Sequence, residues 1–352
     1  MIGLLKYYIK KRAYVIGIIS TILLLLAIFL LDEGYVYSYT DYYGEIIKRP
    51  QSCPITYYAV FSSILVIVVP LFEFSFKMKK VSVDEFYKFP IKKEKLYIVK
   101  FIIGLLEIII PITVFFLFTL LDITLSEHLF NLGAYFVYYL ASILVIFASY
   151  SLITFVYAKC NTVHDGLINV FLVQFFFIAI AYIVGEIISS PEECMLNSNS
   201  AWRCSNYFSY FFVFSPITRL SIYGTAYMEG EAGFSNPLSN SDITSIISVT
   251  FFFVIGVVAL ILLILLLKKE KSEDSMDISN SWFSYKVMLP TFIVVLSALC
   301  VSGSGAIFLI LVAIPSYIGY AIYRRNFKLK LCDVITIISS IVGGLILGVL
   351  VW

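Results

Sequence analysis

Long apolar runs dominate this chain and restrict the folds that are open to it. Soluble domains are about half apolar and a quarter charged, whereas here 61% of the residues are hydrophobic and 14% are charged. A helix needs about 20 apolar residues to cross a bilayer. Runs of that length, or nearly so, occupy 13–31, 56–76, 97–121, 135–158, 167–189, 245–267, 287–301, 305–322 and 333–351. The sequence therefore predicts an all-α integral membrane protein, a polytopic helical bundle.

The distribution of basic residues predicts the orientation. With the N-terminus placed in the cytoplasm, 21 of the 25 Lys and Arg residues fall inside and four fall outside, as the positive-inside rule requires. The four outside are Lys48, Arg49, Arg203 and Arg219. We expect a multi-pass protein of the cell membrane with a cytoplasmic N-terminus, nine crossings and an external C-terminus. Because 287–301 is short and contains Pro290, a re-entrant hairpin over 287–322 is the alternative to two crossings there.

The polar segments divide the chain. Residues 1–12 alternate apolar residues with lysine, which predicts an amphipathic helix at the membrane interface or the first turns of a tilted span. A six-span core follows over 13–267 and includes a long external helical region, 190–244. A polar cytoplasmic linker, 268–286, precedes a membrane appendage of two or three spans at 287–352. The first apolar run is too long for a cleaved signal peptide, and no cleavage site follows it.

The segment Lys77–Lys100 lies between two apolar runs and carries eight lysines against three acids. Inside it the sequence predicts a short helix at 83–89. Ser82 can cap this helix and Glu85 can complete a capping box, while the proline at its end stops it. The helix displays three aromatic side chains, Phe86, Tyr87 and Phe89. A capped helix of two turns that presents aromatic groups in water is typical of a surface that contacts another protein.

This segment resembles the cytoplasmic loop between spans 2 and 3 of the ABC transporter permeases of the type-2 (type V exporter) family. Members share an acid, a short helix, a proline followed by a basic residue, and a lysine that opens the next span. The corresponding residues here are Asp84, Glu85, Pro90, Lys92, Lys93, Leu96 and Lys100. An N-terminal amphipathic helix and short external helices, matched by 1–12 and 206–222, extend the resemblance to roughly residues 1–270.

The resemblance implies the membrane subunit of an ATP-driven exporter. Two permease copies, or this chain and a homologous permease, would work with two separate ATPase subunits, which bind the ATP and Mg. The substrate would be an amphipathic peptide, lipid or drug, and no nucleic acid is involved. The residues it assigns to ATPase coupling are Ser82, Asp84, Glu85, Phe86, Tyr87, Phe89 and Pro90. The chain itself has no phosphate-binding loop and no hydrolase or metalloprotease motif, so we expect a non-catalytic subunit without a metal site, surrounded by membrane lipids.

Glu107 supports a different function, because an ionised carboxylate deep in a span is costly and is often functional. It would serve a substrate pathway in an ion-coupled secondary transporter, or, protonated or bonded to a tyrosine, it would only hold helices together. The sequence suggests no basic partner for it within the spans, and it places Glu73 near a span end, where its side chain can reach the interface. A third alternative is a membrane-embedded sensor or enzyme that binds a ligand with the external loop 190–244.

The cysteines and the small residues add two expectations. Cys194 and Cys204 share the external loop and are a possible disulfide, worth roughly 2–4 kcal/mol, with Cys53 in the first external loop as the other candidate partner. Free thiols are expected at Cys160, Cys300 and Cys332. The last run carries small residues at four-residue spacing, which predicts a helix-packing face: Ser340, Gly344 and Gly348.

Overall fold

The fold is almost entirely helical, as the sequence predicts for a membrane protein. The structure, a computed structural model, describes residues 2–30, 36–40, 46–50, 55–78, 93–125, 132–173, 240–267, 285–302 and 307–351.

Each described helix overlaps one of the apolar runs. The helices are α1 (Ile2–Leu30), α2 (Ile55–Phe74), α3 (Lys93–Leu125), α4 (Leu132–Ala158), α5 (Val163–Val173), α6 (Asn240–Leu267), α7 (Tyr285–Ser302), α8 (Ile307–Arg324) and α9 (Leu331–Val351). Within the described residues, five helical stretches are long and apolar enough to cross a membrane. They are Gly3–Ile28, Phe61–Met78, Lys93–Leu121, Tyr139–Ala158 and Leu331–Val349.

A pair of β-strands lies in the first external loop, for which the sequence predicts no element. Strands β1 (Val36–Thr40) and β2 (Ile46–Pro50) pair antiparallel, with Val36 opposite Pro50 and Thr40 opposite Ile46. Tyrosine, valine, isoleucine and threonine all favour strands. Five residues are too few for an alternating pattern to stand out beside twenty-residue apolar runs, so this element was missed.

Helix α1 has no break at Arg12. Residues 2–12 are the first turns of the same helix that continues to Leu30. At 1.5 Å per residue the helix is about 43 Å long, which exceeds the hydrocarbon thickness of roughly 30 Å. The helix is therefore longer than an upright span requires.

The chain divides into two compact units. The first contains the described parts of Met1–Glu73, Ile91–Ile153 and Phe214–Lys268, and the second contains those of Phe74–Pro90, Thr154–Val213 and Lys269–Trp352. In the first unit, α3 packs against both α1 and α6. Close approach depends on small residues, since a β-carbon at Gly256 of α6 would overlap the backbone of Ala148.

The second unit is centred on α7, which packs against α8 and, more extensively, against α9. The contact with α9 is closest at Gly344, where a β-carbon would overlap Ser297 Oγ and the carbonyl oxygen of Val294. Ser340 and Gly348 are buried on the same face. The predicted packing face is thus confirmed, and its partner is a helix of the same chain.

Two adjacent glycines of α9 provide a matched test of this packing. We expect Gly344→Ala to destabilise the protein by about 1–3 kcal/mol, because helices α7 and α9 must move apart to admit the methyl group. Gly343→Ala should be neutral or slightly stabilising, since nothing lies within 4 Å of a β-carbon there and alanine favours the helix. Thermal unfolding in detergent measures both. Equal melting temperatures for the two variants would contradict the close packing.

Candidate functional site

Four charged side chains meet inside the first unit, and we call them the charge cluster: Arg12 of α1, Glu73 of α2, and Lys100 and Glu107 of α3. Lys100 Nζ lies 2.9 Å from Glu73 Oε2. Arg12 forms an ion pair with Glu73 Oε1 through Nη2, and its Nε lies 3.6 Å from Glu107 Oε1. Two cations therefore face two carboxylates, and the cluster is neutral as a whole.

The members of the cluster are unusually well buried for charged residues. Glu73 is 1%, Glu107 3% and Lys100 4% exposed, while Arg12 is half-buried. An isolated ion in such surroundings is very costly, so buried charges occur in pairs. The arrangement satisfies this requirement only when all three helices are assembled.

The order of the contacts along the two helices shows the direction of α1 relative to α3. Lys100 Nζ lies 4.9 Å from the centre of the Tyr8 ring, and one turn further along α1 Arg12 faces Glu107. On α3, Lys100 and Glu107 are seven residues apart and lie on one face. Both helices thus point the same way, which is expected when the chain crosses the membrane once more between them.

Helix α3 has further polar groups on the C-terminal side of Glu107. Pro111, four residues further on, has no N–H to donate to the carbonyl of Glu107. Two residues later the hydroxyl of Thr113 donates to the carbonyl of Ile109 at 2.7 Å and lies 2.7 Å from Tyr139 Oη of α4. Polar backbone and side-chain groups at this depth must be satisfied by protein or by water.

One sequence expectation about these acids is wrong, because Glu107 does have a basic partner, Arg12. Glu73 is buried between Arg12 and Lys100. From the sequence, Arg12 belongs to the cytoplasmic flank of the first span and Lys100 to the start of a later one. The spacing of Lys100 and Glu107 was a usable signal, since seven residues place them on one helix face, but the other two members come from separate helices.

A second polar network holds the turn between α4 and α5 in the second unit. Lys77, in the 3₁₀ turn Ser75–Met78, donates to the carbonyl of Ala158 at the end of α4. Thr162 caps α5 by accepting the backbone N–H of Asp165 at 3.2 Å. The same Asp165 accepts a hydrogen bond of 2.8 Å from the hydroxyl of Tyr285 on α7.

Cys160 lies inside this turn as a free, buried thiol, as expected. Asn169 Nδ2 donates to its sulfur at 3.1 Å. Burial raises the pKa of the thiol to about 12, although the hydrogen bond from Asn169 opposes the shift. The thiol is therefore protonated at neutral pH. Cys332 is also free, and it is exposed.

The other predicted site residues lie outside the described part of the chain. They are Ser82, Asp84, Glu85, Phe86, Tyr87, Phe89 and Pro90 of the coupling segment, and Cys194 and Cys204 of the external loop. Within the described ranges no three His, Cys, Asp or Glu side chains are grouped as metal ligands. No protein-family model, curated protein or solved structure matches this chain.

Proposed function

We propose that this chain is the membrane subunit of an ATP-driven ABC exporter, which pairs with a second permease copy and couples to separate ATPase subunits. The observation that supports it best is the attachment of the lysine-rich segment at both of its ends. Lys77 donates to the end of α4, and Lys100 is bound to Glu73 in the charge cluster. A loop that transmits force must be held where it begins and where it ends.

The mechanism follows from these attachments. Closure of the ATPase subunits on ATP would push on the coupling helix, 83–89. The push would pass through Lys77 to the end of α4, and through Lys100 to the start of α3. Arg12 links α1 to the same cluster, so α1 would move with α3. The permease then opens an outward path for an amphipathic substrate.

Co-purification tests this function directly. An affinity-tagged full-length chain, extracted in mild detergent from its native cells, should retain an ATPase with a phosphate-binding loop, and ATP hydrolysis by the complex should respond to substrate. Isolation of a chain that transports without any ATPase would contradict the proposal.

The topology behind the proposal can be checked by cysteine labelling. In a cysteine-free variant, Lys92→Cys should be protected from an impermeant reagent in intact cells, because 77–100 is predicted to be cytoplasmic. Lys48→Cys, in the first external loop, should be labelled and serves as the positive control. External labelling at position 92 would exclude both the orientation and the coupling role.

One observation favours a second candidate, an ion-coupled secondary transporter. Glu107 is buried and faces a cation, Arg12, at 3.6 Å, and a carboxylate in this setting can exchange a proton or cation for its partner. If so, Glu107→Gln should abolish ion-driven uptake or efflux in proteoliposomes that contain no ATPase. Glu94→Gln, at the beginning of the same helix, is the control. The exporter proposal instead predicts no transport by either protein under those conditions.

A further inference from the structure

The turn between α8 and α9 combines positive charge with exposed apolar side chains. Residues 324–333 contain four basic residues and one acid, a net charge of +3. Arg324 is engaged by Asp333 in a two-point contact, with Nε–Oδ2 at 2.9 Å and Nη2–Oδ1 at 2.8 Å. The other three basic residues of the turn are exposed: Arg325, Lys328 and Lys330.

The backbone of this turn is fixed by its own hydrogen bonds. Arg325 has a φ of 52°, and the N–H groups of Arg325 and Asn326 donate to the carbonyls of Ile322 and Ala321 at 3.0 and 3.1 Å. This is the pattern that closes a helix with a left-handed residue. Asn326 Oδ1 then accepts the N–H of Lys328 at 3.1 Å. Hydrogen bonds thus hold the backbone that carries these cations.

Two apolar side chains beside these cations are unusually exposed. Phe327 is 80% and Leu331 is 75% exposed. The carbonyl of Phe327 accepts a hydrogen bond of 2.7 Å from the hydroxyl of Tyr317 on α8. Tyr317 itself lies on an exposed apolar surface of α8, and Leu331 begins a similar surface on α9, which continues through Val334, Ile335 and Ile338.

These features favour a lipid surface over a soluble partner. Exposed apolar faces on α8 and α9 are the surfaces that lipid chains cover in a membrane protein. At their common end an aromatic ring and three cations come together, the combination found where a protein meets the headgroup layer. Each basic residue beside a membrane raises the affinity for anionic lipids by about fivefold. A protein partner would explain the charge but not the continuity with the apolar faces.

We propose that the turn Arg325–Leu331 is a binding site for the phosphate headgroups of anionic phospholipids. Phe327 and Leu331 enter the interface, and Arg325, Lys328 and Lys330 contact the phosphates. This inference requires only that the chain spans a membrane, and it does not depend on the exporter proposal.

Fluorescence quenching tests the site in the full chain. Trp202, Trp282 and Trp352 are replaced by Phe, and Phe327→Trp supplies the only indole. The protein is placed in nanodiscs of phosphatidylcholine that contain increasing fractions of brominated phosphatidylglycerol, or the same fractions of brominated phosphatidylcholine. We expect quenching by both lipids, with a higher apparent affinity for the anionic one, by about fivefold for each basic residue that contacts it.

Matched variants make the outcome decisive. Neutralising Arg325, Lys328 and Lys330 to Gln should abolish the preference for phosphatidylglycerol and leave quenching by phosphatidylcholine. The single change Lys328→Gln should reduce the preference by about fivefold. It provides an independent test if the triple variant misfolds. The control, Lys6→Gln with Lys10→Gln and Lys11→Gln, removes three exposed cations of α1 and should leave the preference unchanged.

Three results would overturn the proposal. An indole at 327 that neither brominated lipid quenches lies in water or against protein. If the preference for phosphatidylglycerol persists after the three cations are neutralised, these residues do not form the headgroup site. If the emission of the indole at 327 changes only when an ATPase subunit is added, the turn contacts protein and not lipid.

Discussion

Replacing Lys100 with methionine should destabilise the protein by about 3–5 kcal/mol, because it leaves the charge cluster with two carboxylates and one cation in buried surroundings. Methionine is close to lysine in length, so the packing of α3 changes little. Lys95→Met, an exposed lysine at the beginning of the same helix, removes an equal charge and should change stability by less than about 0.5 kcal/mol. Thermal or denaturant unfolding in detergent compares the two.

The double variant Lys100→Met with Glu73→Met gives the sharper result. It removes one cation and one carboxylate and leaves Arg12 paired with Glu107. Buried ion pairs replaced by apolar residues of similar volume are often neutral or stabilising, so we expect the double variant to be far more stable than either single variant. Additive losses in the double-mutant cycle would show that the charges do not interact.

Truncation of the aromatic side chains of the coupling helix, 83–89, should have the largest effect on function. If Phe86 and Tyr87 contact an ATPase, the double change to alanine should lower affinity for that subunit by about 30-fold or more per residue, since anchoring aromatics typically cost about 2 kcal/mol when truncated. Transport should be uncoupled while membrane insertion is intact. Ser82→Ala, which removes only the cap, should cost about 1 kcal/mol and act more mildly. Pull-down with the ATPase and substrate-stimulated hydrolysis are the measurements.

Phe327→Ala is a matched control for that experiment. It also removes an exposed aromatic side chain on the side predicted to be cytoplasmic, but the turn around it is proposed to face lipid, so ATPase binding should persist. The alternative for Phe86 and Tyr87 is that their rings lie in the interface of the inner leaflet. In that case the double variant would keep its ATPase and its substrate-stimulated hydrolysis.

Much of the fold could be predicted from local pattern. The apolar runs at 97–121 and 333–351 became α3 and α9, because the length of an apolar run is a local property that decides whether a helix suits a bilayer. The small residues of α9 were likewise identified as a packing face, since four-residue spacing places them on one side of a helix. The hairpin at 36–50 was missed because strand pairing depends on two separated segments.

The candidate site shows the limit of that reasoning. Burial of Glu107 could be predicted from its position within an apolar run, and the structure buries it, but it buries Glu73 as well. The partners of Glu107 could not be read in the same way. Glu73 and Lys100 are 27 residues apart, Arg12 comes from a third helix, and each was explained separately as a residue near a span end.

The sequence alone determined which stretches are helical and apolar, where the lysine-rich segment begins and ends, and that α9 has a face for close packing. Only the tertiary structure decided that Arg12, Glu73, Lys100 and Glu107 form one neutral cluster, and that Ser297 of α7 lies against Gly344. The physical reason is that hydrophobic periodicity is encoded within each helix. Charge pairing and close packing instead depend on the distances between helices, which the assembled chain alone sets.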